Sequence, residues 1–178
     1  MREIEEILFD AQTIESKVRD LATQISRDYE GKSLVLVSIL KGAITFTADL
    51  MRRLSIPVEI DFVRAASYGA STASAGTMTI TKDIETDISG GHVLLVDGII
   101  DSGNTLDRLF KRLAERNPAS IKAVVLLDKK TRRMVEVPLA YRGFEIPDTF
   151  VVGYGMDCAE KYRNLPYIAT LKPPSVSE

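Results

Sequence analysis

Three nearly unbroken apolar runs, SLVLVSIL at 33–40, HVLLVD at 92–97 and SIKAVVLLD at 120–128, constrain this chain more than any other feature in it. A strand with one wet face alternates apolar and polar residues, whereas a run that is apolar on both parities must be covered on both faces, as strands inside a parallel sheet are. Segments of helical spacing lie between the runs. Ile14, Val18, Leu21 and Ile25 place an apolar stripe on a helix predicted over 11–29 and ending at Gly31, and Leu106, Leu109, Phe110 and Leu113 do the same over 104–115. A helix over 43–53, with Ile44, Leu50 and Met51 among its apolar positions, strands over 58–65 and 77–82, and a turn at Gly90 and Gly91 complete the series. This order predicts an α/β fold, a mostly parallel central sheet flanked by helices, with ligands at the carboxyl ends of its strands. The last third, broken by Pro138, Pro147, Pro166, Pro173 and Pro174, predicts a small hood or lid region or a peripheral sheet, and a frayed tail over 173–178.

At 178 residues and 45% hydrophobic content, one domain over 1–178 can bury a sufficient core. No stretch approaches the ~20 apolar residues of a membrane span, and the charged start MREIEEILFD lacks the apolar block of a secretory signal, so the expected compartment is the cytoplasm, with no membrane partner. A formal charge of −2 lacks the basic excess of a nucleic-acid binder; bound phosphates would need a local site. Cys158 and His92 are the only residues of their kinds, which removes internal disulfides, cysteine-based zinc cages and a convincing nucleophilic triad. His92 is expected to be structural or solvent-facing.

The segment VLLVDGIIDSGNTL, 93–106, carries the chemistry. A buried strand ends in an acid, and a short acidic turn enters a helix whose first amides lack intrahelical acceptors. Ser102, Gly103, Asn104 and Thr105 are therefore a candidate phosphate cradle: the hydroxyls add donors, the helix dipole favours an anion, and Gly103 lets a ligand approach the backbone. Asp97, at the strand end, can meet ribose hydroxyls or a magnesium ion shared with pyrophosphate. Taken alone, Asp-Ser-Gly-Asn-Thr reads equally well as a helix cap.

The surrounding motifs alter that balance. LKG (40–42), ASYG (66–69), VLLVDGIIDSGNTL, LLDKK (126–130) and GFEIPDTFVVGYGMD followed by KYRNLPY occur in the order shown by the hypoxanthine-guanine phosphoribosyltransferases, type I enzymes, which the chain resembles over about residues 5–171. The resemblance implies purine salvage: transfer of the 5-phosphoribosyl group of phosphoribosyl pyrophosphate (PRPP) to N9 of hypoxanthine or guanine, with xanthine a further candidate, giving IMP or GMP and pyrophosphate. It further implies Mg2+ as cofactor and a homodimer or homotetramer.

By the same resemblance, Asp101 is the base at N7 of the purine, residues 101–105 hold the 5-phosphate, and Asp97 and Gly98 face the ribose. Lys41 and Gly42, at a peptide bond that is often cis in the family, bind pyrophosphate with Arg163. Ser67 and Tyr68 belong to a mobile loop. Lys129 donates to the oxygen at C6, Phe150 stacks on the base, Val151 presents backbone groups to its edge, and Asp157 joins Asp97 as a metal-linked carboxylate near the purine. Without the resemblance, Lys41-Gly42 is a plain turn, ASYGASTASAG a surface loop, Lys129 a solvated charge and FVVG a buried strand. One departure stands out: relatives usually carry two adjacent acids where this chain has Asp97 and Gly98, which predicts a weaker hold on one ribose hydroxyl. Gly98 also keeps open a PRPP- or nucleotide-sensing regulator with little transferase activity, while a pyrimidine or adenine transferase fits Lys129 poorly.

Overall fold

The computed structural model describes residues 2–67 and 78–173, with the side chains of 66, 67 and 78 left aside. Along the chain run β1 (Ile4–Phe9), α1 (Ala11–Asp28), β2 (Leu34–Leu40), α2 (Ile44–Met51), β3 (Glu59–Ser67), β4 (Met78–Lys82), β5 (His92–Ile100), α3 (Asn104–Ala114), β6 (Ser120–Asp128), β7 (Leu139–Glu145), β8 (Val151–Val152) and β9 (Ile168–Leu171). Six strands form the main sheet in the order β4-β3-β2-β5-β6-β7, parallel except for the β3–β4 pair. The continuous apolar runs are its centre, as predicted.

Each central strand splits its side chains between two cores. Leu34, Leu36, Leu94, Val96, Val124 and Leu126 point to the side covered by α1 and α2, while Val35, Val37, Val93, Leu95, Ala123 and Val125 point to the side covered by α3. Leu106, Leu109 and Leu113 of α3 are buried, each worth about 1.5–3 kcal/mol relative to exposure. On α1, Asp10 caps the first turn by accepting from Thr13 N at 2.8 Å, and Ile14, Val18, Leu21 and Ile25 form the buried stripe expected.

Three expectations need correction. The buried face of α2 is Phe46, Thr47 and Leu50, with Ile44 and Met51 exposed, because Thr47 turns inward to bond Ser38 Oγ (2.8 Å) and the Ala43 carbonyl (2.8 Å). Asp97 lies inside β5, opposite Val125, since pairing with β6 carries the strand on to Ile100. The third correction is β1, a strand absent from the sequence reading: it joins β8 and β9 of the last third in a separate three-stranded sheet, while β7 extends the main one.

Strand order reverses between β2 and β5, each of which pairs with the other on one side and with a later strand on the other. Such a switch point leaves a crevice beyond the carboxyl ends, where the loops leave in opposite directions. Residues 41–43 and 101–103 are the two loops that leave β2 and β5 there.

Candidate active site

A cavity of about 410 Å³ occupies that crevice, walled by Lys41, Gly42, Ile99, Asp101, Lys129, Arg132, Phe150, Val151, Met156, Asp157 and Arg163. Residues more than a hundred positions apart in sequence thus share one surface. The Leu40–Lys41 peptide bond is cis, within the segment where the sequence pointed to an unusual bond.

The turn after β5 leaves its amides available. The first α3 ladder bond runs from Asp107 N to Gly103 O, so the amides ahead of it lie outside the helix's own ladder, and the helix has no side-chain cap. Among the described residues, the amide of Asn104 makes a long contact with Ser102 Oγ at 3.4 Å. The capping alternative for Asp101 and Ser102 therefore loses its geometric basis. Gly103 is required for a different reason than expected: its φ is +88°, and a Cβ there would sit 2.6 Å from the Val135 carbonyl. Protein backbone makes the close approach.

Asp101 projects its carboxylate into the cavity, with Oδ1 3.1 Å from Arg132 Nε but outside hydrogen-bond alignment. Arg132 also reaches Asp148 at 3.5 Å, and Lys129 Nζ lies 3.7 Å from the same Asp148 oxygen. Lys129 is 7% exposed, which distinguishes it from the exposed Lys130 beside it. Phe150 is its opposite, an aromatic ring 54% exposed at the cavity wall. Val151 is buried in β8, paired with Thr170.

At the far end, Lys41 Nζ and Arg163 share Glu160, at 2.8 and 3.3 Å, and Arg163 pairs with Asp157 at 2.8 Å while donating to the Gly155 carbonyl. Hydrogen bonds from Lys41 and then Arg163 hold the Glu160 carboxyl below its ordinary range. Asp157 also accepts from Glu160 N at 2.9 Å. The Arg163 Nε has no partner among the described residues.

Asp97 is not part of the cavity wall. Burial pushes its carboxyl up to about 7, against hydrogen bonds from the Gly98 and Ile99 amides that favour the charged form. Among the described residues no three His, Cys, Asp or Glu side chains gather as a metal cage. Gly98 packs against the neighbouring loop, where a Cβ would stand 3.1 Å from the Gly42 carbonyl. Ser67 ends β3, and Tyr68 lies outside the described residues. His92 bonds Ser120 Oγ at 2.7 Å and packs edge-on to Tyr29, a structural setting.

Sequence reasoning missed Ile99, Arg132, Met156 and Glu160. Arg132 sat in a basic run that reads as solvent-facing, and nothing in KKTRR distinguishes the arginine that turns toward the Asp101 carboxylate. No described helix is long and apolar enough to cross a membrane.

The sequence model of the phosphoribosyl transferase domain matches residues 5–159. The chain is 43% identical over 171 residues to the hypoxanthine-guanine phosphoribosyltransferase of Bacillus subtilis, covering 96% of this chain and 95% of that protein. It is also 43% identical to the bifunctional protein TilS/HprT of Listeria monocytogenes, of whose length it spans only 27%. Among solved structures, a hypoxanthine phosphoribosyltransferase from Staphylococcus aureus superposes with a TM-score of 0.92 at 42% identity, covering 98% of this chain and 95% of that one. A hypoxanthine-guanine phosphoribosyltransferase from Bacillus anthracis gives 0.88 at 46% identity, covering 95% and 99%.

Proposed function

The chain belongs to the type I hypoxanthine-guanine phosphoribosyltransferases, and on that premise we propose that it transfers the 5-phosphoribosyl group of PRPP to N9 of hypoxanthine or guanine, releasing pyrophosphate and forming IMP or GMP. The observation that carries this reading is the cavity at the switch point, where a carboxylate, a buried lysine, an exposed ring and a cationic pair share one wall that reaches Asp101, just ahead of the uncapped start of α3.

The 5-phosphate lies on the amides and hydroxyls of Ser102, Gly103, Asn104 and Thr105, where orphan donors and the helix dipole favour an anion. The purine stacks on Phe150 and presents its edge to the Val151 backbone, with its 6-oxo group toward Lys129. A buried ammonium supplies donors only, so it favours an oxo over an amino group and hypoxanthine or guanine over adenine. N9 forms the new bond to C1 as the C1–O bond to pyrophosphate breaks, with inversion; the proton lost by the purine passes from N7 to Asp101, and the electron pair leaves on pyrophosphate beside Lys41 and Arg163.

Magnesium is the implied cofactor. An ion of this kind is usually held by one or two carboxylates together with substrate phosphates, which fits a site without a preformed cage: Asp157 stands at the cavity wall, and Asp97 is a half-buried carboxyl whose charged form a cation would favour. When bound it supplies positive charge to the departing pyrophosphate. A homo-oligomer, with PRPP, the oxopurines, their nucleotides and pyrophosphate as its small-molecule partners, completes the reading.

The test is nucleotide formation from PRPP, Mg2+ and each purine separately, with Asp101→Ala alongside. IMP or GMP forms and the variant is slow. Activity with adenine alone would overturn the assignment of the base, and an undiminished Asp101→Ala rate would remove Asp101 from its role.

A further inference from the structure

Asp128 closes β6 next to Lys129, and its side chain is 1% exposed. Arg133 donates to its Oδ1 at 2.5 Å, and Arg142 of β7 brings Nε to 2.7 Å from Oδ2. A carboxylate this deep must be paired: Arg133 hydrogen-bonds it, while Arg142 sets its charge beside Oδ2 outside hydrogen-bond alignment. They differ in what else they touch. Arg142 is 45% exposed and turns otherwise to Glu145, whereas Arg133, 11% exposed, donates Nε to the Asp101 carbonyl at 3.3 Å.

The rest of its segment lies beneath the same turn. The Ser102 carbonyl accepts from Met134 N at 2.9 Å and from Val135 N at 3.1 Å, and the Arg133 Cδ would stand 3.1 Å from a Cβ at Gly103. Lys129 N meanwhile bonds the Ile100 carbonyl at 3.0 Å. Residues 129–135 thus tie the end of β6, which carries Lys129, to the turn that carries the phosphate cradle.

We propose that Arg133 is a positioning residue that sets the offset between the phosphate cradle and the base subsite at Lys129. A guanidinium is a rigid planar fork, so one side chain can point separate nitrogens at the Asp128 carboxylate and the Asp101 carbonyl; a lysine ends in a single nitrogen and does not reproduce that fixed two-point spacing. The inference rests on the transferase reading, in which one ligand spans both subsites. Such a ligand senses the offset, while a ligand confined to the cradle does not.

The experiment compares Arg133→Lys with Arg142→Lys, each with a measured melting temperature, for binding of IMP and of ribose 5-phosphate by calorimetry and for kcat and KM with PRPP and hypoxanthine. Arg133→Lys keeps a cation for Asp128 but weakens IMP on the order of 10-fold more than ribose 5-phosphate, and lowers kcat/KM on the order of 10- to 100-fold, the scale of an ångström-sized misplacement. Arg142→Lys leaves both affinities and kcat/KM at the wild-type level. Equal weakening of the two ligands by Arg133→Lys, no weakening of either, or the same loss from both arginine variants would overturn the proposal. Should Arg133→Lys not fold, Asp128→Asn/Arg133→Gln, which leaves neither charge of that pair buried alone, is read the same way, and a wild-type IMP affinity in it overturns the proposal. A wild-type protein that makes no IMP refutes the transferase reading, while the ratio of the two affinities still decides the role of Arg133.

Discussion

Replacing Phe150 with alanine removes a ring that does little for the fold and much for a bound base. At 54% exposure, a side chain of about 200 Å² leaves roughly 110 Å² uncovered, of which one face of the planar ring, roughly half, can meet a stacked base. Covering ~55 Å² of ring and an equal area of purine, at about 25 cal/mol per Å², gives about 2.7 kcal/mol. This lies inside the ~1–3 kcal/mol seen when aromatic partners of stacked bases are truncated, and corresponds to close to 100-fold in affinity. Steady-state kinetics with hypoxanthine varied at saturating PRPP should show Phe150→Ala raising KM for the base by about that factor, with KM for PRPP unchanged and Phe150→Leu between the two. A base KM within about 3-fold of wild type, a gap of ~0.65 kcal/mol, or a loss confined to PRPP, would refute the stacking argument.

Gly98→Ala and Gly98→Asp separate the missing acid from its steric setting: both place a Cβ 3.1 Å from the Gly42 carbonyl, but only aspartate restores a carboxylate, so Gly98→Asp should show the lower PRPP KM of the two, and equal values would remove Gly98 from the ribose contacts. Asp61 anchors β3 to the 85–86 turn by accepting from Phe62 N, Glu85 N and Thr86 N at 2.6, 2.7 and 2.8 Å. Burial alone would raise its pKa, but the amides of Thr86, Phe62 and Glu85 prevail and hold it at about 2. Its folded pKa lies below the unfolded value, so its stabilisation, about 1–2 kcal/mol after allowance for solvent screening, is present above pH ~4 and lost as pH falls toward ~2. Urea midpoints of wild type and Asp61→Asn should accordingly differ at pH 7 and converge at pH 2; a constant difference would contradict the linkage.

Much of this molecule is readable from residue order because its central strands are buried on both faces. Composition alone separates such strands from helices, and the β6 bounds matched residue for residue at 120–128. The turn proposed to hold phosphate was legible as a turn entering a helix for a related reason: an acid-serine-glycine turn there leaves donors that need a partner, whatever the rest of the chain does. What escaped depended on distant partners. The strand β1 is charged and weakly patterned, and it forms because β9, more than 150 residues away, offers an edge. Met51 looked like core by type and is exposed, because its helix spends its inward face on Phe46, Thr47 and Leu50. Arg132 and Arg133 are neighbours of one type, yet one faces the cavity and the other is buried against Asp128, a difference set by the short helical turn at Lys130–Arg132 and by no local pattern.

The most direct test of the account is a crystal structure with IMP. The account places the nucleotide phosphate on the amides of residues 102–105, the purine against the Phe150 ring and its 6-oxo oxygen within hydrogen-bond reach of Lys129 Nζ. Density for IMP in the cavity beside Arg53, Tyr154 and Asn164, with the turn after β5 free of phosphate, would contradict it.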